Sequence, residues 1–98
     1  MTSAGGAVVA IIADTALARK GLTYFADAAG VGVVDAQDAP EIVLRAPEAG
    51  SEVDAAVHIV VGIRSVSIEQ RHPPTIAVVQ AAARMVDELL TSWTVEDD

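Results

Sequence analysis

The amino-acid sequence predicts an α/β domain: an open, mostly parallel sheet of four or five strands with flanking helices. Three observations carry this. The run Ala7-Val8-Val9-Ala10-Ile11-Ile12-Ala13 is unbroken and rich in β-branched residues, as in a strand buried on both faces of a parallel sheet. Runs of this kind alternate with stretches whose apolar residues recur at helical spacing, the order that gives right-handed crossovers in a parallel sheet. The 98 residues are 52% apolar and 20% charged, and a folded chain of this length has a radius of about 13 Å, with room for one core and too little for two. Residues 1–98 are therefore read as a single domain, with flexible ends at 1–6 and 94–98.

The elements follow in order. After the first strand, Asp14-Thr15 offers side-chain oxygens to the free amides of a helix start. From Ala16 to Ala29, Ala18, Leu22, Phe25, Ala26 and Ala29 share one face, while Arg19, Lys20, Thr23 and Asp27 lie on the other. Gly30 suits the position just past the helix, and Val31 to Asp35 reads as a second strand. Gln37-Asp38-Ala39-Pro40 is a turn, and Glu41 to Arg45 is either a strand or a short helical turn. Pro47 to Asp54 is polar and loop-like, with Gly50 at its centre, and Ala55 to Gly62 is another strand. Ile63 to His72 is polar and ambiguous, closed by Pro73-Pro74. Thr75-Ile76-Ala77-Val78-Val79 reads as a further strand. From Gln80 to Trp93 the sequence is an amphipathic helix with Ala82, Met85, Val86, Leu89 and Trp93 on one face.

Composition excludes several functions. Ala and Val supply 34 of the 98 residues and no polar tract is long, which excludes disorder. Fourteen acids against six bases give a net charge of −8, which repels phosphate backbones and anionic lipid. Neither nucleic acid nor membrane is an expected partner. Without cysteine there is no disulfide, thiolate or cysteine-ligated metal chemistry. Met1 to Gly6 carries no Lys or Arg, and the first apolar run stops at Asp14 after seven residues. That is neither a signal peptide nor a membrane span, so the expected compartment is the cytoplasm. No motif calls for a cofactor.

In such sheets function sits at the C-terminal ends of the strands, here Ala13-Asp14, Asp35, Gly62 and Val79-Gln80. The stretch Ile11-Ile12-Ala13-Asp14-Thr15-Ala16-Leu17-Ala18-Arg19-Lys20-Gly21-Leu22 resembles the opening of response-regulator receiver domains of the NarL/LuxR class. There an acidic pair ends the first strand and Arg-x-Gly-Leu follows in the first helix. Ala28-Ala29-Gly30 and the strand to Asp35 continue the likeness. Val57-His58-Ile59-Val60-Val61-Gly62-Ile63-Arg64 looks like the family's phosphoacceptor strand and turn. The likeness covers residues 7 to about 80 and fades after Asp35. It implies a flavodoxin-like receiver fold in abbreviated form.

The departures decide what function the resemblance implies. Receiver chemistry uses two acids to hold a divalent cation, an aspartate to take the phosphoryl group, a Thr or Ser beside it and a phosphate-contacting Lys. Here the first acid is Ala13 and only Asp14 remains, as a residual acidic pocket. The phosphoacceptor position is Gly62 and the Thr/Ser position is Gln80. The one lysine of the chain, Lys20, lies in the first helix. A second threading takes Pro40-Glu41-Ile42-Val43-Leu44 as the phosphoacceptor strand and puts Ala46 at the acceptor position. Against it, five residues are too few for a crossover between parallel strands. In both threadings the aspartyl-phosphate switch is lost and the fold is shorter than the family's.

The remaining chemistry-bearing residues favour ordinary structural roles. Asp14 reads first as a helix N-cap. His58 sits mid-strand among apolar neighbours and is a core or edge histidine, and His72 before Pro73 is solvated. Two histidines without cysteine make a poor zinc site. Gly5-Gly6 precedes a strand instead of following one, the wrong context for a phosphate loop. Ser65 and Ser67 have no histidine placed to activate them. On the last helix, Met85, Leu89, Leu90 and Trp93 are candidates for a dimer or partner surface.

The expectation is a non-enzymatic, phosphorylation-independent, receiver-like regulatory domain acting through homodimerisation or a protein partner. In the family it resembles, that role is in transcription regulation, with a DNA-binding helix-turn-helix after the receiver. An unidentified small ligand at the vacated acidic pocket is a further possibility. The alternative is a small α/β ligand-binding protein or enzyme using a strand-end cleft near Asp14, Gly62 and Gln80.

Overall fold

A computed structural model of the chain describes residues 7–50, 52–62 and 65–96, with side chains as far as residue 91. The order is β1 (Val8–Ile12), α1 (Ala16–Ala28), β2 (Gly32–Val34), β3 (Ile42–Arg45), β4 (Val57–Val61), β5 (Val66–Gln70) and α2 (Ile76–Glu96). The five strands form one sheet in the order β2-β1-β3-β4-β5, parallel except for the final β4–β5 pair. This is the α/β class expected, an open and mostly parallel sheet with the 2-1-3-4-5 order of flavodoxin-like folds. Two helices flank it.

Side-chain alternation sorts the sheet into two faces. Val9, Ile42 and Val57 are in register across three strands, as are Ile11, Leu44 and Ile59. Together with Leu22 and Ala26 of α1 and Val78, Ala82 and Met85 of α2 they make the core. Both helices therefore cover the same face. The opposite face presents Ala10, Val43, Arg45 and His58, and these are buried as well. No helix among the described residues lies over it; residues 46–50 and Val53 fold against it instead.

Thr15 caps α1, its Oγ1 accepting from the Ala18 N–H at 3.0 Å. Asp14 is thus displaced from the cap role by its neighbour, whose extended backbone aims the hydroxyl along the helix axis. At the other end Gly30 takes φ +75° and Val31 N–H donates to Ala26 O, a left-handed close that favours glycine.

One open reading is settled and, after that of Asp14, two further expectations are corrected. Glu41–Arg45, read as a strand or a short helical turn, contains β3 (Ile42–Arg45), at the centre of the sheet. The objection to a short crossover fails as well: residues 35–41 carry the chain from β2 to β3, which lie on either side of β1. Strands of three and four residues are only about 10–13 Å long, so seven residues spanning up to about 23 Å can return along them. A turn at Asp38 N–H to Asp35 O, positive φ at Ala39 and a buried Pro40 shape the return.

The third correction concerns the C-terminal third. Val66–Gln70, inside the ambiguous polar stretch, is an edge strand, and Thr75–Val79 begins α2 instead of forming a strand. The β-branched run Thr-Ile-Ala-Val-Val misled by propensity. Thr75 Oγ1 accepts from Val78 N–H at 3.3 Å, Thr75 O accepts from Val79 N–H, and Val78 starts the buried stripe Val78-Ala82-Met85-Leu89. Helix α2 also runs through Glu96, so residues 94–96 are helical. The expected flexible ends at 1–6 and 97–98 lie outside the described residues.

Candidate functional site

In doubly wound sheets the ligand crevice opens where neighbouring strands lead off to opposite sides, here between the C-terminal ends of β1 and β3. This crevice is filled by the chain itself. Ala46 N–H donates to Ile12 O, and the segment after β3 turns back through Ala49 N–H to Ala46 O and Val53 N–H to Gly50 O. Gly50, at φ +76°, lies so close to β1 that a Cβ there would meet Ile12 side-chain atoms at 2.7–2.9 Å. Gly50→Ala should therefore destabilise the fold by about 1–3 kcal/mol, combining a left-handed backbone with a clash, as read by urea unfolding.

Arg45 pins the segment. It ends β3 with 4% of its side chain exposed. Its Nη1 donates to the carbonyls of Ala46, Pro47 and Ala49 at 3.2–3.4 Å, and Nη2 meets Glu69 Oε1 at 3.4 Å. Its Nε donates to His58 Nδ1 at 3.0 Å. Because an arginine N–H only donates and a carbonyl only accepts, His58 must be neutral with its proton on Nε2, 2.8 Å from Val53 O. Burial lowers the imidazole pKa below its ordinary 6.5, and the charges of Arg71 and Arg45 push the same way against the Val53 hydrogen bond and Glu69. Glu69 also takes Arg71 Nη2 at 2.9 Å, and that hydrogen bond holds its carboxyl below the usual value.

His58 is thus a satisfied core histidine, as the sequence suggested. Arg45 and Glu69 escaped notice. The signal for Glu69 lay in the alternation of Ser67, Glu69 and Arg71 with Val66, Ile68 and Gln70, the period of a strand with two unlike faces. His72 is exposed and paired, its Nε2 2.6 Å from Asp54 Oδ1.

The residues expected at a strand-end cleft do not converge. Asp14 is exposed after β1, and Gly62 follows β4, two strand spacings or about 10 Å across the sheet. Gly62 opens the β4–β5 hairpin, its N–H donating to Ser65 O at 2.7 Å. Gln80 lies near the start of α2. That helix begins beside the N-terminal ends of the parallel strands, since Gln70 pairs with Val57 and Arg71 N–H donates to Ala56 O. Gln80 is therefore at the opposite end of the sheet from Asp14 and Gly62. Among the described residues no group of three or more His, Asp or Glu could hold a metal ion, and no helix is long and apolar enough to cross a membrane.

The interface candidates divide. Met85 and Leu89 are buried against the sheet and are spent in the core, a correction to their expected role. Leu90 is exposed. The Trp93 backbone is helical, and its side chain lies outside those described. The structure adds an apolar groove of about 240 Å³ between α2 and the β4–β5 edge, lined by Val57, Ile68, Pro74, Val79 and Ala83 among others. Comparison with protein-family models, with curated proteins and with solved structures finds no match.

Proposed function

We propose that this chain is a receiver-like regulatory domain that works without phosphorylation and transmits its signal by contact with another protein chain. The observation that carries the reading is the state of the sheet's C-terminal edge. In flavodoxin-like order, β3 is the strand that would carry a phosphoacceptor, and here it ends Leu44-Arg45-Ala46. Ala46 takes the acceptor position there, as in the second threading and in place of Gly62, which follows β4; Arg45 just before it is bonded to its own loop, and the crevice beside it is occupied by Gly50 against Ile12. Asp14 is exposed after β1, and among the described residues no three acids or histidines gather to hold a metal ion. Among the described residues, nothing at this edge combines a carboxylate nucleophile, a paired acid for a cation and a lysine, the groups phosphoryl transfer to aspartate requires.

Pairing a crevice occupied by Gly50 with an exposed apolar groove favours contact over chemistry. By resemblance to the NarL/LuxR class the role is transcriptional control in the cytoplasm, with DNA contact left to another domain.

Incubation with acetyl phosphate and magnesium, followed by intact mass measurement, is the test. An unchanged mass is expected. A phosphoryl adduct on any aspartate would overturn the reading.

A further inference from the structure

We propose that two copies of this chain associate by packing their α2 helices antiparallel about a two-fold axis at Ala83. The inference rests on the reading above, that the domain acts by protein contact. It starts from the sequence of α2, which carries two apolar stripes where the fold needs one. Val78, Ala82, Met85 and Leu89 face the sheet and are buried. The second stripe is Ile76, Val79, Ala83 and Leu90, joined at its edge by Val86, which is half-buried and also packs against the core; the five are spaced alternately three and four residues apart, the a/d seam of a helix pair. Ile76 is 76% exposed, Val79 52% and Leu90 47%. Ile68 of β5, 53% exposed, extends the patch across the groove. Together these residues make a continuous apolar band about 21 Å long on the helix.

The pattern is self-complementary. Ile76 precedes Ala83 by seven residues and Leu90 follows it by seven; Val79 and Val86 lie nearly as symmetrically. An antiparallel copy crossing at Ala83 places Ile76 against Leu90 of the second copy, and the reverse, while the two small Ala83 side chains let the axes approach closely. This is an isologous contact, each patch meeting itself.

Charge selects the direction. Parallel packing would set Asp87 beside its counterpart in a chain already at −8. Antiparallel packing sets the two about 12 Å apart along the axis, beyond a screening length of about 8 Å at physiological salt. It also brings each Asp87 level with Val79 of the second copy and one residue's rise from its Gln80, whose amide can donate to the carboxylate. The groove, at about 240 Å³, is smaller than the pockets that usually hold small molecules, and it has room for an apolar side chain from the facing helix.

Because the chain has no cysteine, single substitutions can map the register. Under mild oxidation the Ala83→Cys variant should become a covalent dimer. Leu90→Cys alone should not, since its two thiols would lie about 21 Å apart, whereas a mixture of Ile76→Cys and Leu90→Cys chains should cross-link to each other. Ala83→Arg, which sets like charges on the axis, should convert dimer to monomer in sedimentation equilibrium with an unchanged circular dichroism spectrum. Wild-type chain that is monomeric over a hundredfold concentration range would overturn the proposal, as would Leu90→Cys chains that cross-link as readily as Ala83→Cys. A monomer that takes no phosphoryl group removes the dimer alone and makes the partner a different protein. A phosphoryl adduct removes the regulatory reading whatever the mass.

Discussion

Arg45→Met is expected to cost about 3–5 kcal/mol of folding free energy, a large share of the 5–15 kcal/mol typical of a domain this size. The guanidinium is the common partner of three loop carbonyls, His58 and Glu69. Removing it strands a buried imidazole nitrogen and frees residues 46–50 from the β1–β3 crevice. The loss comes from orphaned partners, so the double variant Arg45→Met with His58→Leu should recover part of it. A double-mutant cycle by urea unfolding measures this. An Arg45→Met variant within about 0.5 kcal/mol of wild type, the range of an unremarkable surface change, would show that the cluster does not hold the face together.

Stability should fall as pH drops below about 6.5, the ordinary value of the histidine that burial depresses in the folded chain. Below that pH the unfolded chain binds a proton that folded His58 refuses, so stability rises with pH across the window between its folded and unfolded pKa. The slope from this one site is at most about 1.4 kcal/mol per pH unit. Protonation would put a second donor against the Arg45 N–H. Glu69, whose carboxyl is held low by Arg71, adds a loss of the same sign below about 4.5, its ordinary value. Unfolding measured from pH 7.5 to 5 should therefore show a decline that His58→Leu flattens. A decline of equal steepness in that variant would assign the acid sensitivity elsewhere.

The class of the fold was legible because it depends on apolar runs and helical spacing, and these are strong from Ala7 to Asp35 and at Ala55 to Gly62. The same rules failed where short-range propensity and long-range packing disagree. Thr75 to Val79 has the composition of a strand, yet Thr75 caps a helix and Val78 and Ala82 are one turn apart on its buried face. β5 stayed hidden because an edge strand exposing Ser67 and Glu69 lacks the apolar density of an inner one. The site was less readable still. Arg45 follows Ile42-Val43-Leu44 in sequence, and nothing local shows that the next four residues will turn so that three of their carbonyls become its acceptors, or that His58 and Glu69 will meet it from two other strands. Likewise, the helix face that looked like an interface was chosen on size. Met85 and Leu89 belong to the stripe that meets the sheet, and the exposed stripe begins at Ile76 and Val79, inside the segment misread as a strand.

The most direct test of a phosphorylation-independent contact domain is sedimentation equilibrium of the full chain with and without beryllofluoride and magnesium. The mimic of a phosphoryl group should leave the association constant unchanged, with no ligand-dependent gain in thermal stability. A shift in association or stability on adding beryllofluoride, abolished by Asp14→Asn, would mean that the strand-end acid still works as a phosphoryl switch and would contradict the account.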